Sequence, residues 1–257
     1  MKKLLVAFLA ALLACACTDW QGTGTKPADL EWGTASLCRE TPIAPGETLC
    51  YQISFKLDTL AGESELSSLL AAVIRDSVLC TPGRSTIGEA MADLADSIEA
   101  EWKTDLAERY EPESEYKDMY QYNYTLEGSR TEVSADSILS YRTILDCYLG
   151  GAHGSHVVQY YNFNVESGKL LNIGDVVPTE KTQEVLKAME EQLCKDWEAQ
   201  NLADLQEKTG ITMLGDLYLT NNFLLTGDSI MFLFNQYEIA PYATGLISVT
   251  IPLPTNR

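Results

Sequence analysis

The chain has 257 residues, 37 Asp and Glu against 18 Lys and Arg, a formal net charge of −19, and 46% hydrophobic residues. That length and apolar share support one large or two small domains with a real core and exclude a disordered chain. The charge argues against nucleic acid as a partner and suits either a cationic protein ligand or plain solubility.

The N-terminus opens with Lys2 and Lys3, followed at once by the apolar run Leu4 to Leu13. Ten residues is roughly half of what a helix needs to cross a bilayer. A basic tip, a short apolar stretch and small residues at its end form a secretory signal. Leu12-Leu13-Ala14-Cys15 resembles the lipobox of bacterial lipoproteins, in which the thiol takes the diacylglycerol and cleavage exposes its amine. Several acyl chains make a stable anchor where one is marginal. This predicts a signal peptide over 1–14 and lipidation at Cys15. Cys17, with Ala14 three positions before it, is the rival site, and an ordinary cleaved signal is the plainer alternative. The expectation is an exported lipoprotein of the cell envelope, on the outer membrane, with its face undetermined. No other stretch is long and apolar enough to span a membrane.

Residues 15–31 are rich in Gly, Thr, Asp and Pro and read as a flexible tether. Residues 48–57 alternate, with Leu49, Tyr51, Ile53, Phe55 and Leu57 opposite Cys50, Gln52, Ser54 and Lys56, which predicts a strand. Two helical patterns follow. One covers 63–79, with Leu66, Leu69, Leu70, Val73 and Ile74 on one face. The other covers 86–109, with Ile87, Met91, Leu94, Ile98, Trp102 and Leu106. Residues 116–127 are tyrosine-rich, and Tyr120, Tyr122 and Tyr124 would share a strand face that is either sugar-stacking or core. Glu127-Gly128-Ser129-Arg130 is expected to turn, and 131–149 and 156–166 are β-like. After a turn at Ser167-Gly168-Lys169, residues 179–200 form the strongest helical pattern. Its cap would be Thr179 or Thr182, and its stripe Val185, Met189, Leu193 and Trp197. Strands 222–226 and 229–235 flank Thr226-Gly227-Asp228, a hairpin signal, and a last strand covers 246–252. Helices and strands in separate runs make the fold class α+β, with antiparallel sheets, packed helices and two intimately associated modules.

Cys38, Cys50, Cys80, Cys147 and Cys194 lie beyond the lipobox. Export permits disulfides, and Cys38, Cys50 and Cys80 could supply one, with connectivity open. Cys194 is expected to be a buried thiol.

Three segments carry a family resemblance: Tyr148-Leu149-Gly150-Gly151-Ala152-His153-Gly154; Tyr161-Asn162-Phe163-Asn164-Val165-Glu166-Ser167-Gly168-Lys169-Leu170; and Tyr237-Glu238-Ile239-Ala240-Pro241-Tyr242-Ala243-Thr244-Gly245. In order and separation they are similar to the C-terminal domain of the RsiV anti-sigma factor. The same domain accompanies the catalytic domain of the peptidoglycan deacetylase PdaC and occurs in many Bacteroides-group lipoproteins. The resemblance divides the chain into a PdaC-like N-terminal module at 32–138 and an RsiV/PdaC-type C-terminal module at 139–257. It implies a lysozyme-binding or peptidoglycan-binding role for the module. The deacetylase's metal motifs, an Asp-Asp pair after a strand and His-x-x-x-His, do not occur in the sequence.

The ligand-binding candidates are therefore Gly151, His153, Gly154, Tyr237, Pro241 and Tyr242. Each has a structural alternative. Gly150, Gly151 and Gly154 would build a tight loop with positive φ, fixed by a His153 bond to backbone. Tyr242 would pack into the core, or else line a rim with His153 as an aromatic anchor. His153 and His156 alone do not make a metal site, so no metal and no cofactor is expected. No G-x-S-x-G elbow, phosphate loop or dinucleotide fingerprint is present, and the reading is a non-enzyme. The alternatives are an envelope glycan hydrolase or deacetylase-like enzyme with an unrecognised site, or a structural lipoprotein. Asp-Ser/Thr-apolar triplets at 58–60, 76–78, 96–98, 136–138 and 228–230 resemble the O-glycosylation sequon of Bacteroides envelope proteins, although an Asp-Ser pair also initiates turns.

Overall fold

The computed structural model describes residues 29–131 and 137–254. The expected signal peptide, Cys15, Cys17, most of the tether and Asp136 lie outside them. The fold is α+β: one sheet of six strands in the order β1-β2-β3-β4-β5-β6 and a second of three, β7-β8-β9. The strands are β1 (Trp32–Pro42), β2 (Cys50–Leu60), β3 (Asn123–Arg130), β4 (Ile138–Tyr148), β5 (Ser155–Asn164), β6 (Lys169–Leu171), β7 (Phe223–Thr226), β8 (Ser229–Phe234) and β9 (Ile247–Pro252). The helices are α1 (Glu65–Val73), α2 (Ile87–Arg109), α3 (Ile173–Val176), α4 (Thr182–Asp196) and α5 (Leu202–Thr209). Among the described residues no helix is long and apolar enough to cross a membrane.

The chain divides into two compact units, each drawn from separate stretches. The first contains Leu30–Gly128 and Ile144–Ser155. Here β1 and β2 pair antiparallel without a break from Trp32 opposite Leu60 to Pro42 opposite Cys50. The expected alternation of β2 holds: Tyr51, Ile53, Phe55 and Leu57 are buried. α1 is capped by Ser64, whose side chain accepts from the Ser67 N–H. It ends in a π turn, Ile74–Val78, where the Leu79 N–H reaches the Ile74 carbonyl at 2.8 Å. α2 begins with a reciprocal box in which Thr86 accepts from the Glu89 N–H and Glu89 accepts from the Thr86 N–H. That arrangement satisfies donors the helix start would otherwise leave unpaired. Met91, Leu94, Ile98, Trp102 and Leu106 are buried as the spacing requires.

Three expectations are corrected here, and one strand was not anticipated. The unanticipated strand is β1, whose residues are half-buried or exposed and none fully buried. β2 and β3 pair parallel, in an otherwise antiparallel expectation, and the helices between them supply the crossover that parallel strands need. Glu127 and Gly128 continue β3, paired with Lys56 and Leu57, as Ser129 and Arg130 also do; strand pairing overrides the glycine's turn preference. Tyr120 belongs to a short 3-10 turn, so of the three tyrosines only Tyr122, just before β3, and Tyr124, within it, are buried.

The second unit contains Ser129–Thr143 and His156–Arg257. β5 and β6 form a hairpin in which the Asn164 side chain accepts from the Glu166 and Ser167 N–H groups and Gly168 takes φ +61°. The β7–β8 hairpin turns at Gly227 and Asp228, with positive φ at the glycine alone, as a type II′ turn demands. The core joins Val185, Met189 and Leu193 of α4 to Leu205, Phe223, Phe232, Phe234, Val249 and Ile251. Trp197 departs from the expected stripe: it follows α4 as its C-cap and is 43% exposed. Neither Thr179 nor Thr182 caps α4, because a 3-10 turn precedes it and its Lys181 N–H already donates to the Pro178 carbonyl at 2.8 Å.

Among the described residues Cys38, Cys50, Cys80, Cys147 and Cys194 form no disulfide with one another. Register keeps Cys38 and Cys50 apart, since Cys38 lies opposite Ser54 and Cys50 opposite Pro42. Cys194 is half-buried rather than buried, and desolvation pushes its thiol up.

Candidate functional site

The six candidate residues fall into two groups, Gly151, His153 and Gly154 in the first unit and Tyr237, Pro241 and Tyr242 in the second.

In the first unit the glycine loop follows β4. Gly150 and Gly151 take φ +78° and +100°, as expected for residues without a Cβ. Gly150 also lies against the Tyr122 ring, where a Cβ would stand 3.2 Å from Cε1. Tyr122 is fixed in turn: its hydroxyl donates to Asp105 Oδ2 at 2.5 Å and its ring meets Trp102 edge-on. Burial and the Asp105 carboxylate push the Tyr122 phenol up. Gly154 is not a positive-φ residue. It is a glycine because a Cβ would approach the Cys147 carbonyl oxygen to 2.8 Å. His153 Nδ1 lies 3.0 Å from the Gly154 carbonyl, and a carbonyl only accepts, so the proton sits on Nδ1. The ring is exposed. Tyr148 closes the loop by donating to the Gly151 carbonyl at 3.0 Å.

In the second unit β8 leads into a turn over Asn235–Glu238, closed by the Glu238 N–H to the Asn235 carbonyl at 3.1 Å. Tyr237 occupies its third position with φ +68°. A positive φ there marks a type II turn and is normally the place of glycine. A tyrosine in this region costs about 1–2 kcal/mol and persists only where the surroundings enforce it. The ring is 56% exposed and stands 5.7 Å from Tyr242, tilted by 38°.

The Tyr242 loop is built by two glycines. Gly245 takes φ +78° and ψ −153°, a region essentially closed to other residues. Gly210, the αL cap of α5, lets Pro241 approach it, and Thr244 donates to the Thr209 carbonyl at 2.7 Å. Tyr218 lies across Phe234 and donates to Glu238 Oε2 at 3.2 Å. Its phenol is pushed up to about 12 by partial desolvation and by that carboxylate. Burial also raises the Glu238 carboxyl, against the hydrogen bonds from Asn235 and Tyr218. Met213, Leu214 and Tyr218 are exposed on the neighbouring segment, whose Leu214 N–H donates to the Ile239 carbonyl at 3.3 Å.

Three asparagines that the sequence reading did not single out as site residues hold this surface. Asn235 accepts from the Val158 N–H at 2.8 Å and donates to the Val158 carbonyl at 3.1 Å. Asn222 accepts from the Tyr160 N–H at 2.9 Å and donates to the same carbonyl at 2.8 Å. Asn162 donates to the Phe223 carbonyl and accepts from Ser140, both at 2.7 Å. All three are buried; the Asn222 and Asn235 amides stand in for a neighbouring strand along β5, and Asn162, itself on β5, ties that strand to the start of β7. The only signal available was an asparagine directly flanking an apolar strand run, as at Asn222-Phe223 and Phe234-Asn235.

Among the described residues no group of three His, Cys, Asp or Glu side chains is arranged to hold a metal ion.

The chain is thus an α+β protein with an exposed tyrosine, Tyr237, beside a half-buried one, Tyr242, on a loop shaped by glycines. Residues 175–253 match the family described as "Protein of unknown function (DUF3298)". The fold is similar to that of a DUF3298 family member from Bacteroides fragilis NCTC 9343, at 21% identity over 87% of this chain and 90% of that one, with a TM-score of 0.72. It is also similar to a DUF3298 family protein from Pseudomonas aeruginosa PAO1, at 17% identity over 87% and 90%, with a TM-score of 0.58. At such identities the likeness is one of fold. No curated protein sequence matches the chain.

Proposed function

We propose that the chain is a lipid-anchored, non-catalytic binding module of the cell envelope, resembling the RsiV/PdaC-type domain, whose ligand is a cationic lysozyme-like protein. The observation that carries this reading is the pairing of exposed Tyr237, on the hydrogen-bonded Asn235–Glu238 turn, with Tyr242 on the short 3-10 turn that follows. Rigid aromatic side chains on fixed loops lose little entropy on binding and make good anchors. The net charge of −19 adds attraction for a cationic partner, in rate more than in affinity. The anchor rests on Lys2, Lys3, the Leu4–Leu13 run and Cys15.

The test is retention of lysozyme on the immobilised protein at low and moderate salt, with insoluble peptidoglycan as a second bait. Retention of lysozyme that weakens with salt and drops in a Tyr237→Ala variant supports the reading. Retention of peptidoglycan alone would assign the surface to the glycan, and retention of neither would refute a binding role for it. Mass spectrometry of the native protein tests the anchor: an acylated N-terminal Cys15 is expected, and an N-terminus without fatty acid overturns it.

A further inference from the structure

β1 is the terminal strand of the six-stranded sheet, so among the described residues no strand lies along its outer edge. An open row of backbone N–H and C=O groups is a template for another strand. Proteins usually blunt such edges by keeping them short, by a bulge, by lysines or by proline. β1 is 11 residues long, keeps one register with β2 throughout, contains no lysine, and has its single proline at the last position, Pro42.

The two faces of β1 state what would fit. Ala35 and Leu37 lie opposite the buried Leu57 and Phe55 and are themselves half-buried. The cation on that same face, Arg39, is held by α2, at 2.6 Å from Asp96 and 3.5 Å from Glu99. On the other face Thr34, Ser36, Cys38 and Glu40 are exposed. Thr34 donates to Asp58 on β2 at 3.2 Å. Glu40, which meets the Cys50 thiol, and Glu31, just before Trp32, are exposed, and neither forms an ion pair with a lysine or arginine among the described residues. Two copies of a chain with net charge −19 repel one another, which disfavours self-pairing across this edge.

We propose that the β1 edge binds an extended segment of a cationic polypeptide by strand addition. The segment alternates apolar residues, which extend the Ala35–Leu37 face, with Lys or Arg beside Glu40. Backbone bonds supply affinity and the alternation supplies specificity. The inference is independent of the tyrosine surface.

The probe is a soluble peptide alternating valine with lysine and threonine. A control of equal charge carries proline at the valine positions. Hydrogen exchange across the full chain is followed with each. Expected is a slowing of about tenfold or more in β1 amides with the alternating peptide and none with the control. Thr34→Lys with Ser36→Lys, on the exposed face, should abolish the slowing while leaving β2 protection intact. No slowing in β1 at a saturating peptide concentration overturns the proposal, and equal slowing by the control reduces it to charge attraction and overturns it too. β1 amides already protected in a free chain that sediments as a dimer would assign the edge to self-pairing instead.

Discussion

Pro241 sits so close to Gly210 that a Cβ on the glycine would stand 2.9 Å from the proline Cδ. The cap of α5 thus requires a glycine twice over, for its φ of +74° and for the ring beside it. Gly210→Ala is expected to lower stability by about 2–4 kcal/mol, combining the left-handed penalty with displacement of the Pro241 ring. Because the ring belongs to the Tyr242 loop, lysozyme retention should fall with it. Urea unfolding of the variant checks the first effect, and a midpoint equal to that of the parent would contradict it.

Tyr237→Gly separates strain from recognition. The substitution relieves the positive φ but removes the ring contact with Tyr242, two effects of similar size, about 1 kcal/mol each, and opposite sign. Stability should therefore change by less than about 1 kcal/mol while ligand retention is lost. A stable variant that retains the ligand fully would remove Tyr237 from the binding surface.

Asn222→Ala should be among the more damaging substitutions of the second unit. It deletes one buried and one part-buried hydrogen bond and leaves the Tyr160 N–H, one of the two partners, without its acceptor. The expected cost is about 2–4 kcal/mol. The Val158 carbonyl keeps its bond from Asn235, so β5 should lose protection first around Tyr160, which hydrogen exchange reads residue by residue.

Two carboxyls should move stability with pH in opposite directions. Burial raises Glu238 above its ordinary value of 4.5, so the folded chain holds that proton more tightly than the unfolded one. Its contribution is fully present below 4.5 and is lost as pH climbs through the raised folded value. Glu238→Gln should therefore gain on the parent as pH rises from about 4 to about 7. Asp204 is lowered from its ordinary 3.8 by the Gln200 N–H and then by Lys208. Its contribution is present above 3.8 and is lost as pH falls through the lowered value, and Asp204→Asn should remove that acid-side loss. Unfolding measured at a series of pH values distinguishes the two. Parallel profiles for Glu238→Gln and the parent would show that the buried carboxyl costs nothing.

What the amino-acid sequence determined by itself was local. Alternation in Tyr51–Leu57 specified a one-sided strand, the spacing of Met91 to Leu106 and of Val185 to Leu193 specified helical stripes, and Gly227 specified a hairpin. In each case neighbours along the chain carry the signal, because backbone preference and side-chain period act over a few residues. The glycine and tyrosine loops were legible as loops for the same reason. Tertiary structure decided the rest: that β3 lies parallel to β2, that Glu127–Arg130 continues a strand, that Cys38 faces Ser54, and that Trp197 leaves the α4 stripe. It also decided that Asn222 and Asn235 line β5, far away in sequence. Those outcomes depend on which distant surfaces bury one another and on where backbone groups find partners once they do. No short window of residues contains that information.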